Sequence, residues 1–247
     1  MDINPLTGTV YKGGASTAVG VDSLAMIGGT AVGNEAYAIG RDSVAIGKET
    51  KAFGYKSTAM GEDTEVFGAY ATGIGQGSAA AGLGGSAFGS GASAEGEEST
   101  ALGYGAEATG ENSVALGADS LAERDNTVSV GNAETGSTRT ISNVAPGVYG
   151  TDAVNVNQLK AVERKISAGV SAAMAMTTPV IAAGKSNAVA LGAASYNNTS
   201  AVALNLAHKF TDDVVATASV SKGFNSGRTS SGSNDDIGIK GSVSWSF

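Results

Sequence analysis

The chain has 247 residues, of which 37 are glycine and three are proline, and it carries a formal net charge of −8 without any cysteine. Collagen requires glycine at every third position and nucleic-acid binding requires clustered lysine and arginine, so the composition argues against a collagen-like fibre and against a nucleic-acid partner. The lack of cysteine excludes disulfides and thiolate metal sites. No segment approaches the ~18 consecutive apolar residues of a membrane-spanning helix, so any membrane contact must take another form.

Glycine recurs at every seventh position through the first half of the chain. The residue two places before it is alanine in eleven of thirteen cases, and Val66 and Gly73 are the exceptions. A helix would lose up to ~1 kcal/mol for each glycine, whereas Ser43-Val44-Ala45-Ile46-Gly47 alternates with period two before a polar pair, as a short strand and turn do. The pattern predicts a β-solenoid. The ladder glycines are Gly33, Gly40, Gly47, Gly54, Gly61, Gly68, Gly75, Gly82, Gly89, Gly96, Gly103, Gly110 and Gly117.

The residues that precede the ladder glycines predict the length of one coil. In every second unit this residue is apolar, whereas in the remaining units it is apolar in some and polar or charged in others. We therefore expect a period of fourteen residues with two strands per coil, one facing a dry surface and the other facing water. The apolar row is Val32, Ile46, Met60, Ile74, Phe88, Leu102 and Leu116, and the mixed row is Ile39, Phe53, Phe67, Ala81, Glu95 and Thr109.

Small residues on the opposite side of the pleat predict a narrow interior. Alanine, glycine and the serine or threonine at each strand start point away from the large residues, and nothing larger than threonine recurs among them. Side chains such as Ile46 and Phe88 therefore need an external partner, and another copy of the same surface is the simplest one. We expect the apolar row to form an oligomer interface. A silk-like sheet or a low-complexity spacer is the plain alternative.

A helical segment follows a junction that begins near Ala122. Thr151 or Asp152 is the expected N-cap of a helix from Ala153 to about Met176, and Pro179 stops it. Apolar residues recur along it at spacings of three and four, which predicts a coiled coil. Extending this register backwards places Asn155 at a core position, where a buried asparagine fixes alignment at a cost in stability. The seam consists of Leu159, Val162, Ile166, Gly169, Ala173 and Met176.

Four segments of ~9–11 residues close the chain, and their pattern is that of membrane β-barrel strands. In the last one, Ile237, Ile239, Gly241, Val243, Trp245 and Phe247 alternate with glycine, lysine and serine. In the first one, Val189 and Leu191 are expected to face lipid while Ala190 and Gly192 face inward. Four strands cannot close a barrel, and an open edge in lipid is forbidden, so several chains must share one barrel.

Specific motifs in three regions resemble those of the YadA-like trimeric autotransporter adhesins. Asn112-Ser113-Val114-Ala115-Leu116-Gly117 resembles the head repeat of that family. Val128-Ser129-Val130-Gly131, Arg139 to Val144 and Thr151 to Leu159 resemble its neck, although Pro146 stands where the family usually has alanine. The four C-terminal segments resemble its membrane anchor. The likeness therefore extends over nearly the whole chain.

This resemblance implies a mainly β homotrimer with left-handed parallel β-roll heads, a short trimeric coiled coil, and a shared twelve-stranded transmembrane barrel threaded by three helices. The expected domains are the head over 1–122, the neck over 123–151, the stalk and pore helix over 152–178, and the anchor over 179–247. Gly169, Ala190, Gly192, Trp245 and Phe247 fall in the pore and terminus of the anchor. The implied setting is the bacterial outer membrane with the head at the cell surface. The implied partners are outer-membrane lipid, the barrel-assembly machinery and host extracellular-matrix proteins such as collagen.

No residue set in the sequence indicates an enzyme or a cofactor. His208 is the only histidine, and it is expected at a lipid-facing or rim position of a strand without a partner for catalysis. Two functions remain: a head that binds matrix or surface ligands, and a rigid spacer or autoaggregation module without a specific host ligand. A pure spacer should be polar on its water-facing sheet, and Tyr37, Ile39, Phe53 and Phe67 break that rule, which favours binding.

Overall fold

A computed structural model describes residues 2–3, 10–11, 15–225 and 237–245 of the chain. It divides into two compact units, Met1–Thr140 and Ile141–Phe247. Phe247 and the pair Asp235 and Asp236 lie outside the described residues. In the described part of the chain, no helix has the length and apolar character needed to cross a membrane.

The first unit is a parallel β-roll preceded in sequence by two short strands. These are β1 (Asp2–Ile3) and β2 (Val10–Tyr11), which pair antiparallel. The roll strands are β3 (Thr17–Val19), β4 (Leu24–Ala25), β5 (Thr30–Val32), β6 (Tyr37–Ala38), β7 (Val44–Ile46), β8 (Lys51–Ala52), β9 (Thr58–Met60), β10 (Glu65–Val66), β11 (Thr72–Ile74), β12 (Ala79–Ala80), β13 (Ser86–Phe88), β14 (Ser93–Ala94), β15 (Thr100–Leu102), β16 (Glu107–Ala108), β17 (Val114–Leu116), β18 (Leu121–Ala122) and β19 (Val128–Ser129).

These strands form two parallel sheets with one strand of each per coil. The odd-numbered strands from β3 to β19 make a nine-stranded sheet, and the even-numbered strands from β4 to β18 make an eight-stranded sheet. Thr72 pairs with Ser86 and Glu65 pairs with Ala79, so one coil is fourteen residues, as predicted. The first step is shorter, since Thr17 pairs with Thr30. Parallel pairing also continues past residue 122, the expected end of the head, because β17 pairs with β19.

The interior of the roll is as narrow as the sequence predicts. Alanines two places before the ladder glycines are fully buried, as Ala45 and Ala52 show. Ser43 and Thr50, which begin successive strands, are also fully buried, and the Thr50 hydroxyl donates to the carbonyl oxygen of Gly61. A core of methyl groups and hydroxyls leaves no room for large side chains, so the sheets lie close together.

The ladder glycines are required by the close approach of successive coils. A Cβ atom at Gly54 would lie 2.5 Å from the carbonyl carbon of Gly68 in the next coil, although the backbone there needs no special torsion. A Cβ at Gly47 would lie 2.6 Å from the carbonyl carbon of Gly61, and Gly47 also adopts a φ of +138° that side chains disfavour. Every second ladder glycine therefore serves sterics alone, and the others serve both sterics and the turn.

The two exceptions to the alanine rule compensate for each other. Val66 is the largest fully buried side chain among the described residues. A Cβ added at Gly73 would lie 2.8 Å from Cγ2 of Val66. The extra valine volume on one sheet is thus accommodated by the missing methyl group on the other, because interiors are packed close to solid density.

An arginine closes the C-terminal end of the roll. Its guanidinium carbon would lie 3.0 Å from a Cβ at Gly117, where a further coil would otherwise pack. The Arg139 guanidinium donates to the carbonyl oxygens of Val130, at 2.6 Å, and Ala118. These bonds satisfy carbonyls that the parallel stacking leaves unpaired at its last turn.

The second unit packs a helix on a four-stranded antiparallel sheet. The helix α1 is Val156–Ala175, and the strands are β20 (Asn187–Tyr196), β21 (Thr199–Lys209), β22 (Val214–Asn225) and β23 (Ile237–Trp245). The strands pair in chain order, β20 with β21, β21 with β22 and β22 with β23. Asn197 and Asn198 both have positive φ, +45° and +61°, in the tight turn between β20 and β21.

We expect Val66 and Gly73 to be energetically coupled. Val66→Ala alone leaves a cavity worth about 1–2 kcal/mol, and Gly73→Ala alone overpacks the core by ~1–3 kcal/mol. In the double variant the new methyl group fills the vacated space. The decrease in its melting temperature should therefore be smaller than the sum of the decreases in the two single variants. The measurement is thermal unfolding of the detergent-purified chain by circular dichroism.

Gly73→Ala combined with the remote Ala101→Gly serves as the control for this cycle. It adds one methyl group to the interior and removes another, but the removed one is far from Val66, so the space beside Val66 stays overpacked. The effects of the two substitutions should add. Simple additivity in the Val66–Gly73 pair as well would contradict the compensation.

Candidate functional site

The eight-stranded sheet presents an apolar patch on its outer face. Ile39, Phe53 and Phe67 are 36%, 37% and 54% exposed, and Tyr37 is half-buried beside them. The rings of Phe53 and Phe67 stack with centroids 5.1 Å apart and planes 13° apart. Lys51 and Glu65, which begin the strands carrying these rings, form an ion pair alongside. The four residues that the sequence singled out therefore occupy one continuous surface.

A second aromatic pair extends this patch into the following turn. The rings of Tyr55 and Tyr70 meet edge to face with centroids 5.3 Å apart, and the Lys56 ammonium lies 5.3 Å from the Tyr55 centroid. Sequence reasoning missed these residues because they stand at different offsets from their glycines. The backbone brings them together, since the amide of Tyr70 donates to the Tyr55 carbonyl at 2.7 Å.

The apolar row lies on the outer face of the other sheet. Ile46, Met60, Ile74, Leu102 and Leu116 are 36–46% exposed, while Val32 and Phe88 are half-buried. Each closes a strand of the nine-stranded sheet and stacks on its equivalent in the next coil, as Ile74 does on Phe88. A single roll thus leaves a continuous apolar stripe in contact with water.

The helix starts later than the sequence predicts, and Asn155 caps it. The expected N-cap at Thr151 or Asp152 and the expected start at Ala153 are wrong. Asn155 has φ −89° and ψ 164°, and its side-chain oxygen accepts the amide of Gln158 at 3.1 Å. Asn155 therefore lies just outside the helix, and its placement in the coiled-coil core stays a prediction.

Gln158 clamps the preceding loop to the helix start. Its side-chain oxygen accepts the amides of Asn155 and Gly147, at 3.3 and 2.9 Å, and its amide donates to the Gly147 carbonyl at 2.9 Å. The Asn155 amide group donates to the Val144 carbonyl at 3.0 Å. Together these bonds form a capping box that also holds the chain on both sides of Pro146.

Asp152 organises the same loop by accepting backbone amides. Amide hydrogen bonds from Tyr149 and from Val148, each 2.9 Å long, lower the pKa of Asp152 below its ordinary value of 3.8. Because the pKa of Asp152 is lower in the folded protein, its carboxylate contributes to stability, and this contribution is complete when the pH is above the ordinary pKa. It is lost as the pH falls through the lower value of the folded protein.

The helix has two faces of different chemistry. Ser167, Ala168, Ser171, Ala172 and Ala175 are buried against the sheet. The stalk-core residues Leu159, Val162 and Ile166 are 64%, 53% and 62% exposed, and a Cβ at Gly169 would meet nothing within 4 Å. The predicted seam from Leu159 to Ala173 therefore lies opposite the sheet-facing side, where it is open in the single chain. Its last member, Met176, is instead the C-cap of the helix and packs toward the sheet.

The four strands alternate as predicted, with small or polar residues toward the helix and large apolar residues away from it. Val189 and Leu191 are 66% and 85% exposed, whereas Ala190 and Gly192 face the helix. A Cβ at Gly192 would lie 3.0 Å from the carbonyl carbon of Ala175 and closer still to its oxygen. The outward-facing set on the other strands includes Val202, Leu204, Leu206, Val220, Ile237, Ile239 and Val243.

Asn205 is a site residue whose role the sequence did not reveal. It lies on the face of β21 that packs against the helix, and it is fully buried there. Its oxygen accepts the Thr177 amide at 3.1 Å, and its nitrogen donates to the carbonyls of Ala175 and Ala190 at 3.5 and 3.4 Å. These bonds satisfy backbone groups at the C-terminal end of the helix, which would otherwise be buried unpaired.

His208 contacts an amide side chain and an aromatic ring. His208 points outward and its Nδ1 lies 2.7 Å from the side-chain oxygen of Asn187, with the ring edge-to-face on Phe210. Within residues 15–225 and 237–245, no cluster of three or more histidine or acidic side chains is arranged to hold a metal. Trp245 ends β23 opposite Val214.

A parallel β-solenoid, a helix with an open apolar seam and a sheet that is apolar on its outer face follow one another along the chain, and family models match each of the three. The YadA head domain repeat matches residues 27–50, 38–64, 80–106 and 108–133. The coiled stalk of trimeric autotransporter adhesin matches residues 140–177, and the YadA-like membrane anchor domain matches residues 179–247. The chain belongs to the YadA-like trimeric autotransporter adhesins.

One solved structure similar to this chain is the crystal structure of the collagen-binding domain of the Yersinia adhesin YadA. The identity is 25%, the match covers 60% of this chain and 97% of that one, and the TM-score is 0.38. No protein of curated function matches the chain.

Asn155→Ala should destabilise the neck, because it removes the side-chain acceptor of the capping box at a cost of about 1 kcal/mol per chain. Asn157→Ala, exposed in the same first turn, is the matched control and should leave the melting temperature unchanged. The measurement is thermal unfolding of the purified chain. A rise in melting temperature for Asn155→Ile would instead support a core position.

Gly192→Phe should prevent correct assembly of the anchor, because its side chain would occupy the path of the helix backbone at Ala175. Leu191→Phe, one residue away on the outward face, should assemble normally. Heat-resistant oligomers on a gel and protease accessibility of the head on intact cells measure the two outcomes. Equal assembly and head display in both variants would contradict the assignment of Gly192 to the inner face and Leu191 to the outer face of β20.

Proposed function

We propose that the chain is a homotrimeric outer-membrane adhesin whose head, exposed at the cell surface, attaches to host extracellular matrix or other surfaces. In the same proposal the C-terminal barrel anchors the head and exports it. The single observation that carries the adhesive part is the exposed, stacked pair Phe53 and Phe67 on the sheet opposite the apolar row. Exposed aromatic rings grouped in this way mark binding surfaces rather than inert ones.

Two open apolar surfaces and two open strand edges support the homotrimer. Among the described residues, no partner covers the row that includes Ile46 and Leu116 or the helical seam that includes Leu159, and no strand pairs with the outer edges of β20 and β23. Three copies would join the rows and the seams, and twelve strands would close the sheet into one barrel, which abolishes its edges.

The barrel, once closed, would present its large apolar residues to outer-membrane lipid and its small residues to three helices. Insertion would depend on the barrel-assembly machinery. Export of the head through the same pore is supported by the small residues Ala190 and Gly192 on the inner face and Gly169 on the helix.

The matrix ligand we favour belongs to the collagen-type proteins that the family resemblance implies. The second candidate, a rigid spacer or autoaggregation module, is favoured by the exposed glutamates that replace aromatic residues in the C-terminal half of the same sheet, Glu95 and Glu107. The two candidates differ in whether the aromatic patch matters.

The test is attachment of bacteria that display the full chain to a panel of immobilised matrix proteins that includes collagen. Combined Tyr37→Ser, Phe53→Ser and Phe67→Ser should abolish attachment without reducing surface trimers, because these residues lie away from the apolar row. Tyr104→Ser, which removes an exposed tyrosine at the opposite turns of the roll, is the control. Unchanged attachment would contradict the patch, and clumping of cells without attachment to any matrix protein would establish the spacer.

A further inference from the structure

The outer surface of the eight-stranded sheet changes its chemistry abruptly at one coil boundary. Side chains at equivalent positions of successive coils form columns. In two neighbouring columns an aromatic residue is followed by a small one between the coils of β10 and β12. The following coil lies directly beneath, because the Phe67 amide donates to the Ala80 carbonyl at 3.0 Å and the Gly84 amide to the Ala69 carbonyl at 2.9 Å. The strand column is Phe53, Phe67, Ala81 and Glu95, and the turn column is Lys56, Tyr70, Gly84 and Glu98.

This change leaves a ledge with aromatic rings on one side. Phe53 covers one face of the Phe67 ring, but Ala81 is too small to cover the other, and Phe67 is 54% exposed. Tyr70 is 58% exposed above Gly84, which has no side chain, and Leu83 on the floor is 46% exposed. We call Phe67, Tyr70, Ala81, Leu83 and Gly84 the aromatic ledge.

The opposite side of the ledge is lined by carboxylates without counter-ions. Residues 57–123 contain ten aspartates and glutamates and no lysine or arginine. Five of them lie on this face in the two coils that follow the ledge, those of β14 and β16. All five are exposed, and none forms an ion pair in the part of the chain that the structure describes. Glu98 borders the ledge directly, since its Cγ would lie 3.8 Å from a Cβ at Gly84. The five are Glu95, Glu97, Glu98, Glu107 and Glu111.

We propose that the aromatic ledge and these five carboxylates bind an arginine-bearing basic segment of a partner protein. A guanidinium group is planar, stacks on aromatic faces and pairs with carboxylates, so it matches both sides of the ledge at once. The carboxylates also attract a basic segment from a distance, which raises the association rate. This inference rests on the proposed adhesive function and names the charge and chemistry of the partner.

The test measures binding of an oligo-arginine peptide to the full chain purified in detergent, with oligo-lysine and oligo-glutamate peptides of equal length for comparison. Oligo-arginine should bind best and oligo-glutamate not at all, and binding should weaken as salt is raised. Phe67→Ser with Tyr70→Ser should lower the affinity for oligo-arginine about threefold and reduce its advantage over oligo-lysine.

Charge variants separate a specific surface from general attraction. Glu95→Gln, Glu97→Gln and Glu98→Gln together should weaken oligo-arginine binding about tenfold. The control, Glu62→Gln, Asp63→Asn and Asp119→Asn, removes the same number of charges at the opposite turns of the roll and should change affinity less than about twofold. Equal losses in both triple variants, or no preference for arginine over lysine, would overturn the proposal.

These outcomes are distinguishable from failure of the adhesive function itself. Attachment to matrix proteins that persists in the Glu95, Glu97 and Glu98 triple variant would leave the adhesin proposal standing and overturn this one. Ledge-dependent peptide binding in a chain that attaches to no matrix protein would do the reverse.

Discussion

The distance between successive coils at the ladder glycines governs the rest of the head. At Gly54 the neighbouring coil is so close that even one methyl group would collide with the Gly68 carbonyl. This approach lets each coil pair with the next by backbone hydrogen bonds on both sheets, in a roll whose interior, apart from Val66, consists of alanine, serine, threonine and glycine. Stability in the roll therefore comes from a repeated backbone ladder and a thin layer of methyl groups rather than from a deep apolar core.

A roll that is full of alanine cannot hide its large apolar residues. Ile74 and Phe53 are consequently both on the outside, on opposite sheets, and the two sheets differ only in how regularly such residues recur. An uninterrupted row fits a partner with the same repeat, which is another copy of the chain. An interrupted patch that ends at a coil boundary fits a ligand that covers only a few coils. The narrow interior thus places large apolar residues on two outer faces, one that we propose for assembly and one that we propose for attachment.

Most of the fold followed from periodicity, and the differences arise where single contacts replace the repeat. The coil length, the two sheets, the buried alanines and the alternation of the anchor strands were predictable because each is written many times in the sequence. The helix start was not, because Asp152 and Asn155 are both residue types that favour an N-cap. The hydrogen bonds of Gln158 with Gly147 and of Asn155 with the Val144 carbonyl decide in favour of Asn155. Gly20, which belongs to the ladder at φ +137°, was missed because the first coil is one residue shorter.

The anchor solves a related problem with the same residue types. Gly192 admits the helix backbone at Ala175 as Gly54 admits the next coil, and Asn205 supplies the hydrogen bonds that the helix end cannot find in an apolar sheet. In both units, small residues allow backbones to approach, so the large side chains are left on the outside. In the assembly we propose, the outward face of the anchor meets lipid, the outer face of the eight-stranded sheet meets water and ligands, and the open seam and row meet their own copies. In the described part of a single chain, the outer edges of β20 and β23 therefore lack strand partners and the apolar row and seam lack packing partners, and assembly has to supply both.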